Sequence, residues 1–261
     1  MHLGKTLRLK ERLKQLQPGL LAVSGGVDSR FLALITAQWD LDFRPVFFAG
    51  PHMSRWESEQ AIAFLQALGP EYDCLSIDPL DAPEVRNNTK QRCYYCKKHL
   101  FTRALQHGQD LGRRQVLEGS HLSDRQGFRP GMQALRELGI HSPLAAAGFS
   151  KSDIRTQAAG IGLVQPEQPS RPCLLTRFDY GCVPTAEALQ QVGRAEEGLE
   201  QIGLPDFRIR VLARDRIVLQ LAPTGAQWHA SHGQKVQAVM AEHGLDGFRV
   251  IRTERLSGFF D

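Results

Sequence analysis

Residues 20–34 read LLAVSGGVDSRFLAL. An aliphatic run, Leu20 to Val23, stops at Ser24, and two glycines follow. Asp28 and Ser29 then open a second apolar stretch at helical spacing, which continues to Trp39. The first run reads as a buried strand and the second as a helix. A glycine-rich turn between the two presents backbone N–H groups at a helix N-terminus, where the helix dipole adds to their pull on an anion. Gly25 and Gly26 let the backbone approach a phosphate closely. The Ser24 and Ser29 hydroxyls are donors, and Asp28 either holds Mg2+ beside the phosphates or caps the helix. The chain lacks both G-x-x-x-x-G-K-[ST] and G-x-G-x-x-G. The turn is therefore neither a Walker P-loop nor a dinucleotide fingerprint.

Working outward, RPVFFAG (44–50), EYDCLSI (71–77) and RRQVLEGS (113–120) read as three further strands. Leu7, Leu9, Leu13 and Leu16 mark an amphipathic helix ended by Pro18-Gly19. Ser54, with Glu57 three residues on, opens another that Gly69 closes. Strands alternating with helices indicate a parallel sheet covered on both faces. Ligands of such sheets collect at the carboxyl ends of the strands, here Ser24–Gly26, Ala49–Gly50 and Glu118–Ser120. From Pro166 the texture changes: QPEQPSRPC cannot continue a helix. A helix from Thr185 to Ile202, the strands FRIRVLA and RIVLQLA separated by Arg214-Asp215, a helix over 227–243 and a last strand GFRVIRT follow. This predicts a main α/β domain over 1–180 and a small α+β domain over 181–261.

The 261 residues are 42% hydrophobic and carry a net charge of +4. That supports a folded core and suits an anionic ligand, but 28 acidic against 32 basic residues do not make a nucleic-acid surface. No run has the length of a membrane span and the N-terminus has no signal-peptide core, which leads us to expect a cytoplasmic protein. There, five cysteines read as reduced thiols or metal ligands.

Cys93-x-x-Cys96 has three readings: a redox pair, half a zinc site, or two ligands of an iron–sulfur cluster. Cys74, inside a strand pattern, reads as core. Cys173 lies in a proline-stiffened loop between Arg171 and Arg177, whose charges favour a thiolate. Cys93, Cys96 and Cys173 together would bind three irons of a [4Fe–4S] cluster and leave the fourth open to sulfide. Cys182 is a bystander, an alternative ligand or a resolving thiol. Among the histidines, His121 and His99 adjoin the candidate loops, and His229 and His232 read as a surface helix face.

SGGVDS resembles the signature of the PP-loop ATP pyrophosphatases, which have the adenine nucleotide alpha hydrolase-like fold and split ATP between its α and β phosphates. The resemblance implies pyrophosphate at Ser24, Gly25, Gly26, Asp28 and Ser29. It implies adenine near Ala49 and Met53, and a further nucleotide loop at Gly119 and Asp124. With RCYYCKKHLF, LEGSHLSD, RPGMQALRELGIHSPL, SKSDIR, RPCLLTRFDYG and DFRIRV, most of the chain is similar to the LarE family of ATP-dependent sulfur transferases, which serve nickel-pincer nucleotide biosynthesis.

That resemblance implies ATP and Mg2+ (held by Asp28) and a pyridinium biscarboxylate mononucleotide as substrate. Cys173 is the implied sulfur centre, with Arg177 beside it and Arg208 and Arg210 as further cations for a dianion, or else a solvated strand face. The three cysteines together point to sulfur relayed by a [4Fe–4S] cluster on Cys93, Cys96 and Cys173; the alternative is that Cys173 gives up its own sulfur and is left as dehydroalanine. No membrane or nucleic-acid partner is expected, the sulfide donor is not named by the motifs, and the family resemblance implies a homo-oligomer such as a hexamer. A PP-loop tRNA thiolase and a non-catalytic nucleotide- or metal-binding module are the alternatives.

Overall fold

The computed structural model describes residues 2–69, 71–125, 129–213, 216–256 and 258–260. The chain divides into two compact units, neither a single run of sequence. The first comprises residues through Gly50, Glu57–Pro79 and Cys93–Arg171, and the second Pro51–Trp56, Leu80–Arg92 and the chain from Pro172 onward. Residues 172–180, placed with the main domain by the sequence reading, cluster in the second unit.

The first unit is built on four strands, β1 (Gly19–Ala22), β2 (Phe43–Ala49), β3 (Asp73–Ser76) and β4 (Gln115–Leu117), in the order β3-β2-β1-β4 and all parallel. Alternation along β1 sends Leu21 to one core and Leu20 and Ala22 to the other. On one face lie α1 (His2–Leu16), α2 (Val27–Gln38), α3 (Arg55–Leu68), α7 (Pro143–Ala146) and α8 (Lys151–Gly160). They contribute Leu9, Phe31, Leu65, Leu144 and Ile154 respectively. On the other lie α5 (Arg92–Asp110) and α6 (Pro130–Glu137), through Leu100, Phe101, Ala104 and Leu135; α4 (Pro83–Arg86), a single turn, belongs to the second unit. Each such fully buried leucine or phenylalanine contributes about 2–3 kcal/mol.

The expected parallel sheet is therefore present, with two corrections of detail. Cys74 is exposed rather than core, because β3 is an edge strand that turns Cys74 and Ser76 outward and only partly covers Asp73 and Leu75. On α1, Leu9, Leu13 and Leu16 are buried, while Leu7 faces out at 55% exposure.

The second unit holds a three-stranded sheet, β5 (Phe207–Leu212), β6 (Arg216–Leu221) and β7 (Arg249–Arg252), in that order. β5 and β6 are antiparallel, and β6 and β7 parallel. The predicted Arg214-Asp215 turn lies outside the described residues. Two helices accompany the sheet, α9 (Ala186–Gln201) and α10 (Pro223–Glu242). Thr185 caps α9, its side chain accepting from the Ala188 N–H. Among the described residues, no helix is long and apolar enough to cross a membrane.

Candidate active site

In the first unit, Ser24 to Ser29 form the turn from β1 into α2. Gly25 has φ of +79°, and a Cβ there would lie 3.0 Å from Ala61 Cβ, so conformation and space both require glycine. Gly26 is the N-cap of α2, and no side chain caps the helix. Asp28 therefore sits in the first turn, not at the cap. The leading N–H groups of any helix lack intrahelical partners, and here the N-cap, a glycine, has no side chain to take their place. Ser29 Oγ ties the turn together, donating to the Gly26 carbonyl at 3.0 Å and accepting from the Ser24 N–H at 3.1 Å.

Gly119 comes from the end of β4 and lies against this helix start. A Cβ on it would fall 2.9 Å from the Ser29 nitrogen. The two glycine loops that sequence singled out thus pack backbone to backbone. Glu118, just before, is buried and accepts from the Ser120 N–H and Oγ and from Ser142 Oγ, with Lys97 Nζ at 3.7 Å. Asp124 accepts from the His121 N–H at 3.1 Å.

The Asp28 carboxylate holds a cation. Lys151 Nζ lies 2.8 and 2.7 Å from its two oxygens. His121 Nε2 is 3.9 Å from Asp28 and 3.4 Å from Asp124; its ring is buried and Nδ1 has no partner. Lys151 begins α8, which is fixed by a capping box between Ser150 and Asp153. Burial pushes the Asp153 carboxyl up, but bonds from Lys5 and Ser150 outweigh it and hold the group well below the usual carboxylate range. No motif marks Lys151 as a partner of Asp28, although S-x-x-D at 150–153 marks a helix start and so the placement of its first residue.

Ala49 ends β2 in the first unit, its carbonyl accepting from Ile77 N–H at 2.8 Å. Met53 belongs to the second unit, where Gln190 of α9 donates to the carbonyls of Pro51 and Met53. Between these, the His52 carbonyl accepts from the Leu174 N–H at 2.8 Å, so the Met53 stretch adjoins the Cys173 loop.

Cys173 is half-buried and caps a short 3-10 helix, Leu174–Arg177. Its carbonyl accepts from the N–H and Oγ1 of Thr176. Arg177 is 4% exposed. Its Nε and Nη2 grip Glu196 of α9, and Nη1 donates to the Pro172 carbonyl at 2.9 Å. The charge expected to act on the thiol is thus paired with Glu196. Burial raises the Glu196 carboxyl, but the charge and hydrogen bonds of Arg177, the Arg208 charge and the Ile209 N–H together outweigh this and leave it below its ordinary value. Glu196 also accepts from the Ile209 N–H of β5 at 2.9 Å.

Arg210 is no solvated strand residue. It is buried, donates to Gln220, to the Thr176 carbonyl and to the Leu256 carbonyl, and burial drops its pKa to about 10. Arg208 Nη1 donates to the Phe207 carbonyl at 2.7 Å.

Cys93 and Cys96 lie three residues apart at the start of α5, Cys93 exposed and Cys96 half-buried. Arg92, one residue earlier and in the second unit, donates to Asn88 and to the Phe178 carbonyl and lies over Tyr180. Asn88 in turn donates to the Asp179 carbonyl and accepts from the Gly181 N–H. The chain just before the CxxC is therefore pinned to the RFDYG stretch that follows Cys173. Among the described residues, no three His, Cys, Asp or Glu side chains gather as a metal-holding group. Cys182 lies in the turn closed by its N–H on the Asp179 carbonyl.

A parallel sheet with an uncapped glycine turn from its central β1 into α2, and a separate small α+β unit, defines a PP-loop-type α/β protein. No family model matches the chain. It is 31% identical over 209 residues, 79% of this chain and 75% of the relative, to the pyridinium-3,5-bisthiocarboxylic acid mononucleotide synthase of Lactiplantibacillus plantarum. It is 34% identical to an uncharacterised protein of Synechocystis sp. (79% of this chain, 78% of that protein). A second uncharacterised protein, from Methanocaldococcus jannaschii, is 28% identical over 80% of this chain and 81% of its own length. The chain belongs to the LarE family, that of the Lactiplantibacillus synthase.

Proposed function

We propose that this chain is an ATP-dependent sulfur transferase of nickel-pincer nucleotide biosynthesis, converting a carboxylate of a pyridinium biscarboxylate mononucleotide into a thiocarboxylate. Family membership supports the sulfur-transfer class. The observation that carries the ATP half is the uncapped, glycine-forced start of α2, with an acidic side chain already holding a cation beside it.

A carboxylate is a poor electrophile because its leaving group is bad. Attack of its oxygen on the α-phosphorus of ATP forms an acyl-adenylate and expels pyrophosphate. The α2 N–H groups receive the charge gathering on the leaving pyrophosphate, and Lys151 Nζ, held on the Asp28 carboxylate of the same helix turn, adds a countercharge. One carboxylate plus substrate phosphates is an ordinary donor set for Mg2+, and Asp28 fits that part, with Lys151 in the cation's place. Mg2+ would neutralise phosphate charge there.

Cys173 is the sulfur centre in this reading. Its thiolate attacks the acyl carbon, AMP leaves, and a thioester forms. Removal of the Cα proton by a base then breaks the Cβ–S bond, releasing the thiocarboxylate and leaving dehydroalanine. The alternative source, a [4Fe–4S] cluster on Cys93, Cys96 and Cys173, draws support from the pinning of Arg92 to Phe178. Cys93 and Cys96 belong to the first unit and Cys173 to the second; a cluster on them would supply sulfide to the acyl-adenylate. Arg177 acts by holding the loop through Pro172.

Anaerobic iron and sulfide quantitation, with mass analysis of the Cys173 peptide after turnover, tests this reading. The sacrificial route predicts iron-free active protein and loss of about 34 Da at Cys173. Iron that disappears in Cys93→Ser, with an intact Cys173 after turnover, supports the cluster instead. Protein that releases no pyrophosphate with ATP and the mononucleotide contradicts both.

A further inference from the structure

Arg30 directly follows the glycine turn, yet it is only 8% exposed, and among the described residues its hydrogen bonds go to carbonyls rather than to a carboxylate. Its bonds go to one short segment: Nη1 to the Val164 carbonyl at 3.1 Å, and Nη2 to the Gln165 carbonyl at 3.3 Å and Gln168 Oε1 at 2.5 Å. Its Nε has no partner, and its guanidinium lies over the Phe64 ring at 5.8 Å. All three acceptors are uncharged. Burying a guanidinium on carbonyls alone is costly, and an apolar side chain of similar volume would fill the space at less cost. The segment it holds is itself strained. Gln165 has φ of +52°, unusual for a residue with a Cβ, and the turn closes through Gln168 N–H on the Gln165 carbonyl.

From Gln168 the chain runs five residues to Cys173, through Pro169 and Pro172. Prolines make such a stretch a semi-rigid spacer, so fixing its start limits where its end goes. The other end is gripped by Arg177 at the Pro172 carbonyl. We propose that Arg30 is a positioning residue for the sulfur-transfer step: it ties the helix that begins at the pyrophosphate turn to the start of the spacer that carries Cys173. This rests on the functional reading above and adds to it a residue that couples the two half-reactions.

The test uses full-length Arg30→Met and Arg30→Lys. Pyrophosphate and thiocarboxylate are measured in one reaction with ATP and the mononucleotide, and hydrogen–deuterium exchange is followed over 164–174. In Arg30→Met, thiocarboxylate formed per pyrophosphate released falls at least fivefold, and exchange over 164–174 rises while that of β5 and β6 stays as in wild type. Arg30→Lys, which keeps the charge but not the two-armed fork, recovers part of the ratio. If both products fall together with the ratio kept, Arg30 is only structural and the proposal is overturned. Unchanged exchange refutes the tether by itself. Wild-type protein that makes no thiocarboxylate refutes the functional reading, a result separable from the exchange arm.

Discussion

The glycine turn of the first unit and the Cys173 loop of the second hold their key atoms by opposite means. The turn is made of backbone: Gly25 at positive φ, a helix start without a side-chain cap, and Gly119 lying against Ser29. The loop is made of side chains, with Arg177 joining the Pro172 carbonyl to Glu196 and Glu196 joining α9 to β5. A backbone site depends on residue types that permit a conformation. A side-chain site depends on partners that may be any distance away in sequence. Substitutions should therefore cost chemistry in the first and stability in the second.

The largest effect expected on this comparison is at the buried ion pair. Arg177→Met leaves Glu196 charged and buried, which costs about 3–5 kcal/mol. Arg177→Met with Glu196→Leu regains most of it. Urea unfolding of the single and double variants checks this, and a single variant as stable as wild type would break the contrast. Next, Asp28→Ala should lower pyrophosphate release at least about 100-fold, a size typical of losing one preorganised charge-stabilising group. Its urea midpoint should stay near wild type, because the Asp28 side chain is 24% exposed and packs into neither core. Unchanged release refutes the role given to Asp28.

A smaller effect sharpens the comparison on the loop side. His52, whose carbonyl holds Leu174, has a buried ring, and burial drops its pKa from 6.5 to about 4. The unfolded chain takes up a proton near 6.5 that the folded one refuses until about 4. The stability contributed by keeping His52 neutral is therefore fully present above about pH 6.5 and is lost as pH falls from 6.5 to 4, by about 2 kcal/mol at pH 5. His52→Leu should flatten that limb, as read from urea midpoints at pH 7 and pH 5. Equal pH slopes in both proteins would place the proton elsewhere.

Legibility follows the same division. The β1–turn–α2 unit could be read from residues 20–34 because alternation, glycine and an acidic first turn are local signals. Thr185 announced its helix for the same reason. Cys74 was misread as core because a strand pattern does not say which strand lies at the edge. Lys151, 123 residues from Asp28, and Glu196, 19 residues from Arg177, left no mark at the positions they serve. Arg210 reads from sequence as a substrate cation or a solvated strand face, and neither reading reveals its burial, because its acceptors, the Thr176 and Leu256 carbonyls, come from distant backbone. Met53 and Cys173 were singled out separately, and the His52–Leu174 bond that makes them neighbours has no sequence signature.

The central claim is that ATP activation and sulfur delivery are separate steps, the second centred on Cys173. Cys173→Ala, incubated anaerobically with ATP, Mg2+ and the pyridinium biscarboxylate mononucleotide, tests it most directly. The account predicts that this variant still releases pyrophosphate and forms no thiocarboxylate. Thiocarboxylate formed by Cys173→Ala at the wild-type level would contradict it.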